Sequence, residues 1–140
     1  MAQINPYIHF NGNTEEAFTF YKSVFGGTFG TITRFKDIDF PPNLISENEM
    51  NKIMRITLPI GKHTMLIGSD VPKFLGQVNE NENRSKIVVN TQTKEEADTI
   101  FEKLSAGGQI EVPMADASWG VYFGMFRDKF GIEWLIEFQS

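Results

Sequence analysis

The sequence predicts an α+β domain built from two similar βαβββ halves, and three observations carry that prediction. Glu15-Glu16-Ala17-Phe18-Thr19-Phe20-Tyr21 recurs as Glu95-Glu96-Ala97-Asp98-Thr99-Ile100-Phe101, 80 residues on (95 − 15). Each copy follows a short apolar run and ends at a glycine pair, Gly26-Gly27 or Gly107-Gly108. Strand-like runs surround both copies in the same order. Self-similarity at a fixed offset marks a duplicated supersecondary unit, although Glu-Glu-Ala is also a common helix opening. The 140 residues fit a single domain of ordinary size, here 1–140 with modules at about 1–70 and 85–140.

The helices carry their own punctuation. Asn13 precedes the first with Glu16 three residues on, and Thr93 precedes the second with Glu96 three residues on. That spacing lets cap and acid satisfy orphan N–H groups at a helix start. The glycine pairs supply a left-handed stop. Ala97, Ile100, Phe101 and Leu104 fall on one helical face, and Ala17, Phe20, Tyr21 and Val24 form the matching face of the first half.

In the first half the strand-like runs are 7–10, 28–35, 52–58 and 64–67, with Pro59–His63 as a hairpin turn. In the second they are 86–90, 109–113, 121–126 and 132–138, with Arg127–Gly131 as the last turn. The polar stretch from Asp70 to Ser85 connects the halves. A second irregular stretch, 40–51, contains Pro41-Pro42 and is long enough to be a lid or binding loop.

Composition narrows the function classes. Hydrophobic residues make up 41% of the chain, enough for a core without staples. Thirteen Phe, two Trp and three Tyr suit a packed core and also a small-molecule cavity. With no cysteine there is no disulfide, thiolate metal site or cysteine nucleophile. The net charge of −5, with Lys and Arg scattered, argues against a nucleic-acid partner. No apolar stretch approaches the roughly 20 residues of a membrane span. The N-terminus lacks the basic start and apolar run of a signal peptide, so a cytoplasmic location and no membrane partner are the expectation.

Two segments resemble a known family. Asn5-Pro6-Tyr7-Ile8-His9-Phe10-Asn11-Gly12-Asn13, with Glu16-Ala17, Phe20-Tyr21 and Val24-Phe25-Gly26-Gly27, is similar to the first module of PhnB-like proteins. So is the close, Trp119-Gly120, Phe123-Gly124 and Asp128-Lys129-Phe130-Gly131-Ile132-Glu133-Trp134. These proteins form a branch of the vicinal oxygen chelate (glyoxalase/bleomycin-resistance) superfamily, and the resemblance covers nearly the whole chain. It implies a curved, mostly antiparallel sheet wrapping a cavity, usually completed in a homodimer. Relatives often bear a demethylubiquinone methyltransferase label, but no glycine-rich cofactor loop follows a strand here.

In metal-dependent members of the superfamily, four positions, typically His and Glu, hold a divalent ion that polarises substrate oxygens. Aligned on Phe20-Tyr21, the first position falls on Pro6. The second falls on Leu66 or Ile67, the third on Ile87 or Val88, and the last on Leu135. None offers a donor atom for a hard or borderline ion, so the expectation is no metal and no cofactor.

The remaining candidates are weighed singly. His9 and His63, the only imidazoles, read as structural before catalytic. Glu133 and Glu137 share a strand face but stand roughly 13 Å apart at about 3.3 Å per residue, too far for a close carboxylate pair. Alternation places Phe10 and Ile8 toward the cavity, with Tyr7 and His9 turned away, and Phe126 beside them. Arg55, a charge amid Ile53, Met54 and Ile56, is an anion anchor, a cross-strand partner or a solvated residue. Trp119 contacts a ligand or plugs the sheet end; Glu137 orients a cationic or hydroxylated ligand or is an edge carboxylate. Phe10, Arg55, Trp119, Phe126 and Glu137 are therefore the ligand-binding candidates. The resulting expectation is a homodimer that binds a small organic ligand without metal in an aromatic cavity. The alternative is a metal-dependent or acid/base enzyme of lyase, isomerase or dioxygenase type.

Overall fold

The structure, a computed structural model, describes residues 1–39 and 44–139. The chain divides into two compact units, Met1–Val78 and Asn79–Ser140, and each repeats one plan. The first contains β1 (Tyr7–Phe10), α1 (Thr14–Phe25), β2 (Ile32–Arg34), β3 (Ile53–Ile60) and β4 (Thr64–Asp70). The second contains β5 (Ile87–Thr91), α2 (Lys94–Ser105), β6 (Gln109–Asp116), β7 (Val121–Arg127) and β8 (Glu133–Gln139). Sheet order is β1-β4-β3-β2 in one and β5-β8-β7-β6 in the other. In each, the strand before the helix runs parallel to the last strand, and the other pairs are antiparallel. The two mixed four-stranded sheets with their helices are the predicted βαβββ pair.

Each helix covers one face of its own sheet. On α1, Thr14, Ala17, Phe18 and Tyr21 are buried at i, i+3, i+4 and i+7. Phe18, rather than the expected Phe20, centres that face, meeting Phe10 edge-on at 6.1 Å and Tyr21 at 5.6 Å. Phe20 and Val24 are only half-buried. On α2, Ala97, Phe101 and Leu104 are buried and pack toward Phe126, Trp134 and Ile136. Gly68 of β4 lets α1 sit close: a Cβ there would lie 2.5 Å from the Phe18 ring and 3.2 Å from Thr14 Cγ2.

Several boundaries depart from expectation for physical reasons. The predicted strand 28–35 shortens to β2 because the ladder shifts register between Thr33 and Arg34 and a 3-10 turn begins at Phe35. β4 runs on to Asp70 because its end is pinned to α1. β6 continues past Pro113 because it is an edge strand whose register shifts on either side of Val112, a setting that tolerates proline. In the irregular stretch 40–51, residues 40–43 lie outside the described residues. The remainder is tied down: Ile45 and Glu49 are buried, and Glu49 accepts bonds from the Ser46 N–H, the Ser46 hydroxyl and the Lys73 N–H at 3.1, 2.7 and 2.8 Å. Burial would push the Glu49 carboxyl up, but these bonds hold it below its ordinary range.

The two caps differ. Thr93 Oγ1 accepts from the Glu96 N–H at 3.0 Å, and Glu96 reaches back to the Gln92 N–H at 2.9 Å. Asn13 makes no side-chain cap bond. In its place Asp70 accepts from both the Thr14 N–H at 3.0 Å and the Thr14 hydroxyl at 2.6 Å, while its other oxygen takes the Ile53 N–H at 2.9 Å. One buried carboxylate thus ties together the helix start and two strands. Among the described residues no helix is long and apolar enough to cross a membrane.

Candidate functional site

In both units the helix covers one sheet face, and strand parity decides which side chains stand on the other, the face the helix leaves open, where Thr57, Ile67, Ser69 and Glu133 are buried all the same. Phe10 pairs with Asp70 in the β1–β4 ladder and packs on Phe18. It is 2% exposed and belongs to the core beneath α1, which corrects its placement toward a cavity. Phe126 is likewise fully buried, edge-on to Phe101 of α2 at 5.1 Å. Its expected ligand role gives way to packing for the same reason. Arg55, Trp119 and Glu137 lie on open faces.

The open face of the first unit presents the residues the sequence reading had turned away. His9 pairs with Ser69, and Thr33 pairs with Arg55. With Ser69 and Arg55 on neighbouring strands, these four form one row across the sheet. Tyr7 and Ile67 form the next row. The Tyr7 hydroxyl donates to Ser69 Oγ at 3.2 Å, and Ser69 Oγ lies 3.1 Å from His9 Nδ1. The Arg55 guanidinium sits over the Tyr7 ring, 5.7 Å from its centroid. Arg55 is half-buried, and among the described residues no carboxylate pairs with it. Anchoring β1 on Pro6 inverted its parity. The missed signal was Phe10, whose match to the helix-facing Asp70 turns Tyr7 and His9 to the open side.

The open face of the second unit is aromatic at one end and charged at the other. β8 shows Glu133, Leu135 and Glu137 on this face, as alternation predicted, and β7 adds Phe123, Met125 and Arg127 opposite them. Trp119, 72% exposed, lies against Phe123 at 6.0 Å between ring centroids. Glu137 faces Phe123 across the ladder, and its carboxylate has no partner among the described residues. At the far end Lys86 bridges Glu111 at 3.1 Å and Glu133, and Arg127 reaches Glu133 at 3.1 Å. That Arg127 contact is an ion pair without hydrogen-bond alignment. Burial, and then the neighbouring Glu111, pushes the Glu133 carboxyl above its ordinary range, although Lys86 pulls the other way. Glu111 is held low: burial opposes this, but the bond from Glu133 and then Lys86 outweigh it.

A cavity of about 270 Å³ opens elsewhere in the first unit, lined by Glu15, Arg34, Lys52 and Asp70 among others. Its charges are already engaged. Arg34 grips both Glu15 oxygens at 2.9 and 3.1 Å and the Asn51 carbonyl at 2.7 Å, while Lys52 donates to the Gly12 carbonyl at 2.8 Å. We read it as a clasp between α1 and the β2–β3 region, its charged groups committed to partners within the unit.

Of the residues aligned with the four superfamily metal positions, Ile67, Val88 and Leu135 stand on the open faces and offer a divalent ion no donor atom, while the corrected parity of β1 turns Pro6 to the α1 side with Phe10. Among the described residues, no group of three or more His, Asp or Glu side chains converges in a way that could hold one.

The family model described as 3-demethylubiquinone-9 3-methyltransferase matches residues 2–137. Protein YjdN of Escherichia coli K12 is 26% identical over 136 residues, covering 95% of this chain and 92% of its own. Among solved structures, PA1353 of Pseudomonas aeruginosa superposes with a TM-score of 0.84 at 33% identity, covering 99% of this chain and 98% of its own. The PhnB protein of Bacillus cereus gives 0.73 at 25% identity, covering 98% and 99%. A glyoxalase/bleomycin resistance protein/dioxygenase from Nocardioides shares the fold, with a TM-score of 0.60 at 19% identity over 99% of this chain and 83% of that one.

Proposed function

The chain belongs to the PhnB-like family of the vicinal oxygen chelate superfamily, whose model bears the name 3-demethylubiquinone-9 3-methyltransferase, and from that premise we propose that it binds a small organic molecule without a metal ion. The observation that carries this reading is Trp119. A tryptophan 72% exposed and laid against Phe123 leaves a large apolar face in water, where a flat ligand would shield it. Met125 and Leu135 continue that surface. The unpaired Glu137 beside it suits a cationic or hydroxylated group on the same ligand. A homodimer, the usual arrangement of the superfamily, is part of the proposal, and light scattering on the purified protein tests it.

Methyl transfer is left out. A glycine-rich turn after a strand is one common device for holding a nucleotide-type cofactor. The strand-to-helix connections here, Asn11-Gly12-Asn13 and Gln92-Thr93, hold one glycine and none. An acid/base enzyme is the second reading, favoured by one observation, the carboxyl of Glu133 pushed up by burial. Its ion pairs to Lys86 and Arg127 support a structural role instead.

Ligand-observed NMR on an aromatic fragment set, run in EDTA on the wild type and on Trp119→Ala, tests the proposal. Fragments bearing an amine or hydroxyl should bind saturably and lose at least tenfold in affinity in the variant. Hits that appear only with added divalent ion, or that ignore the substitution, would overturn it.

A further inference from the structure

We infer that the open face of the first unit is a binding site for a small monoanionic carboxylate, with Arg55 as its anchor and His9 as a second donor. The site lies on a different unit from the Trp119 surface and stands independently of that reading.

Arg55 is half-buried in a strand between Met54 and Ile56, and its partner among the described residues is the π face of Tyr7. A cation held partly out of water is favoured by a carboxylate beside it. This one has its fork of N–H donors unengaged by any acceptor among the described residues. That fork matches the two oxygens of a carboxylate.

The hydrogen-bond chain beside it offers a second donor. Tyr7 donates its hydroxyl hydrogen to Ser69 Oγ at 3.2 Å. Ser69 Oγ lies 3.1 Å from His9 Nδ1 and can donate its hydroxyl hydrogen there. In the tautomer in which Nδ1 accepts that bond, the hydrogen of the neutral ring sits on Nε2. His9 is exposed, so that N–H is available to a ligand. Ser69 itself is buried; the groups the row of His9, Ser69 and Arg55 presents to a ligand are the exposed imidazole N–H and the guanidinium fork, which suit an anion and disfavour a cation.

One guanidinium matches one negative charge. With a net charge of −5, the whole-protein field does not gather anions, so a ligand must be recognised locally. Phosphate sites typically draw on several backbone N–H groups at a helix start or nest. The helix of this unit starts under the opposite face of the sheet. A carboxylate is the better fit.

The test is a two-dimensional NMR titration of the intact protein with benzoate and acetate, against benzamide and inorganic phosphate. Benzoate should bind saturably at millimolar concentration, shifting amides of β1, β3 and β4 around Tyr7, His9, Arg55 and Ser69, and benzamide should not. Arg55→Met, which keeps the stem and removes the charge, should weaken benzoate at least tenfold with an unchanged melting temperature. His9→Phe should weaken it several-fold, and Arg55→Lys should fall between wild type and Arg55→Met. Should Arg55→Met fail to fold, Arg55→Lys and His9→Phe still decide the matter. Equal binding of benzamide, tighter binding of phosphate, shifts confined to the Trp119 region, or no saturable carboxylate binding would each overturn the inference.

Discussion

At the scale of single residues, Asp70 shows how a polar group can organise a fold without belonging to a site. It is 3% exposed and takes two N–H groups and one hydroxyl. Asp70→Asn replaces one acceptor oxygen with a donor facing donors, so it should cost about 2–4 kcal/mol in urea unfolding. Sequence reading placed Asp70 at the start of the connection between halves. It could not do otherwise, because Asp70's partners lie 56 and 17 residues away in the chain. Glu133 gives a second prediction, about pH. Its carboxyl is pushed up in the folded protein, so the folded state binds more protons than the unfolded chain above the ordinary carboxylate range. Stability should therefore decline as pH rises from that range toward neutrality. Glu15, Glu49 and Glu111 are held low, and their stabilisation is lost only below that range, so the two windows separate. Urea midpoints measured across mildly acidic to neutral pH should show the decline in wild type and its loss in Glu133→Gln.

At the scale of elements, the helices were legible because their signals are local, whereas their capping was only half legible. Both starts carry a cap-type residue with Glu three positions on, yet only Thr93 makes the bond. Thr93→Ala should cost about 1 kcal/mol, and Asn13→Ala well under half of that, by thermal or urea unfolding. A near-equal loss at both sites would contradict the assignment of the first helix start to Asp70. Gly68→Ala tests the packing of α1 on β4. The new methyl would meet the Phe18 ring at 2.5 Å, and overpacking of this kind typically costs about 1–3 kcal/mol. Strand parity shows the limit of one-dimensional reading. In β8 alternation placed Glu133, Leu135 and Glu137 together on the open face. In β1 the same rule, started from Pro6, turned every side chain the wrong way. A four-residue strand carries too little pattern to fix its own face; its register against β4 does that.

At the scale of the whole molecule, the duplicated plan came from one repeated heptapeptide, and both units follow it to the same strand order. The resemblance to PhnB-like proteins, carried by the opening and closing segments, agrees with the family match over residues 2–137. Function was less legible because it rests on what the open faces carry. Of five candidates, Phe10 and Phe126 proved to be core, since large aromatics satisfy a core and a cavity equally well on paper. Tyr7, His9 and Ser69 were recognisable only once β1 and β4 were paired. The central claim is that this member of a largely metal-dependent superfamily works without an ion. It is tested most directly by the melting temperature of EDTA-treated protein with and without magnesium, manganese, cobalt, nickel and zinc. A protein lacking the ligand set should show no ion-specific shift. A rise of several degrees with one ion, saturating at one equivalent per chain, would contradict the account and restore the metal enzyme.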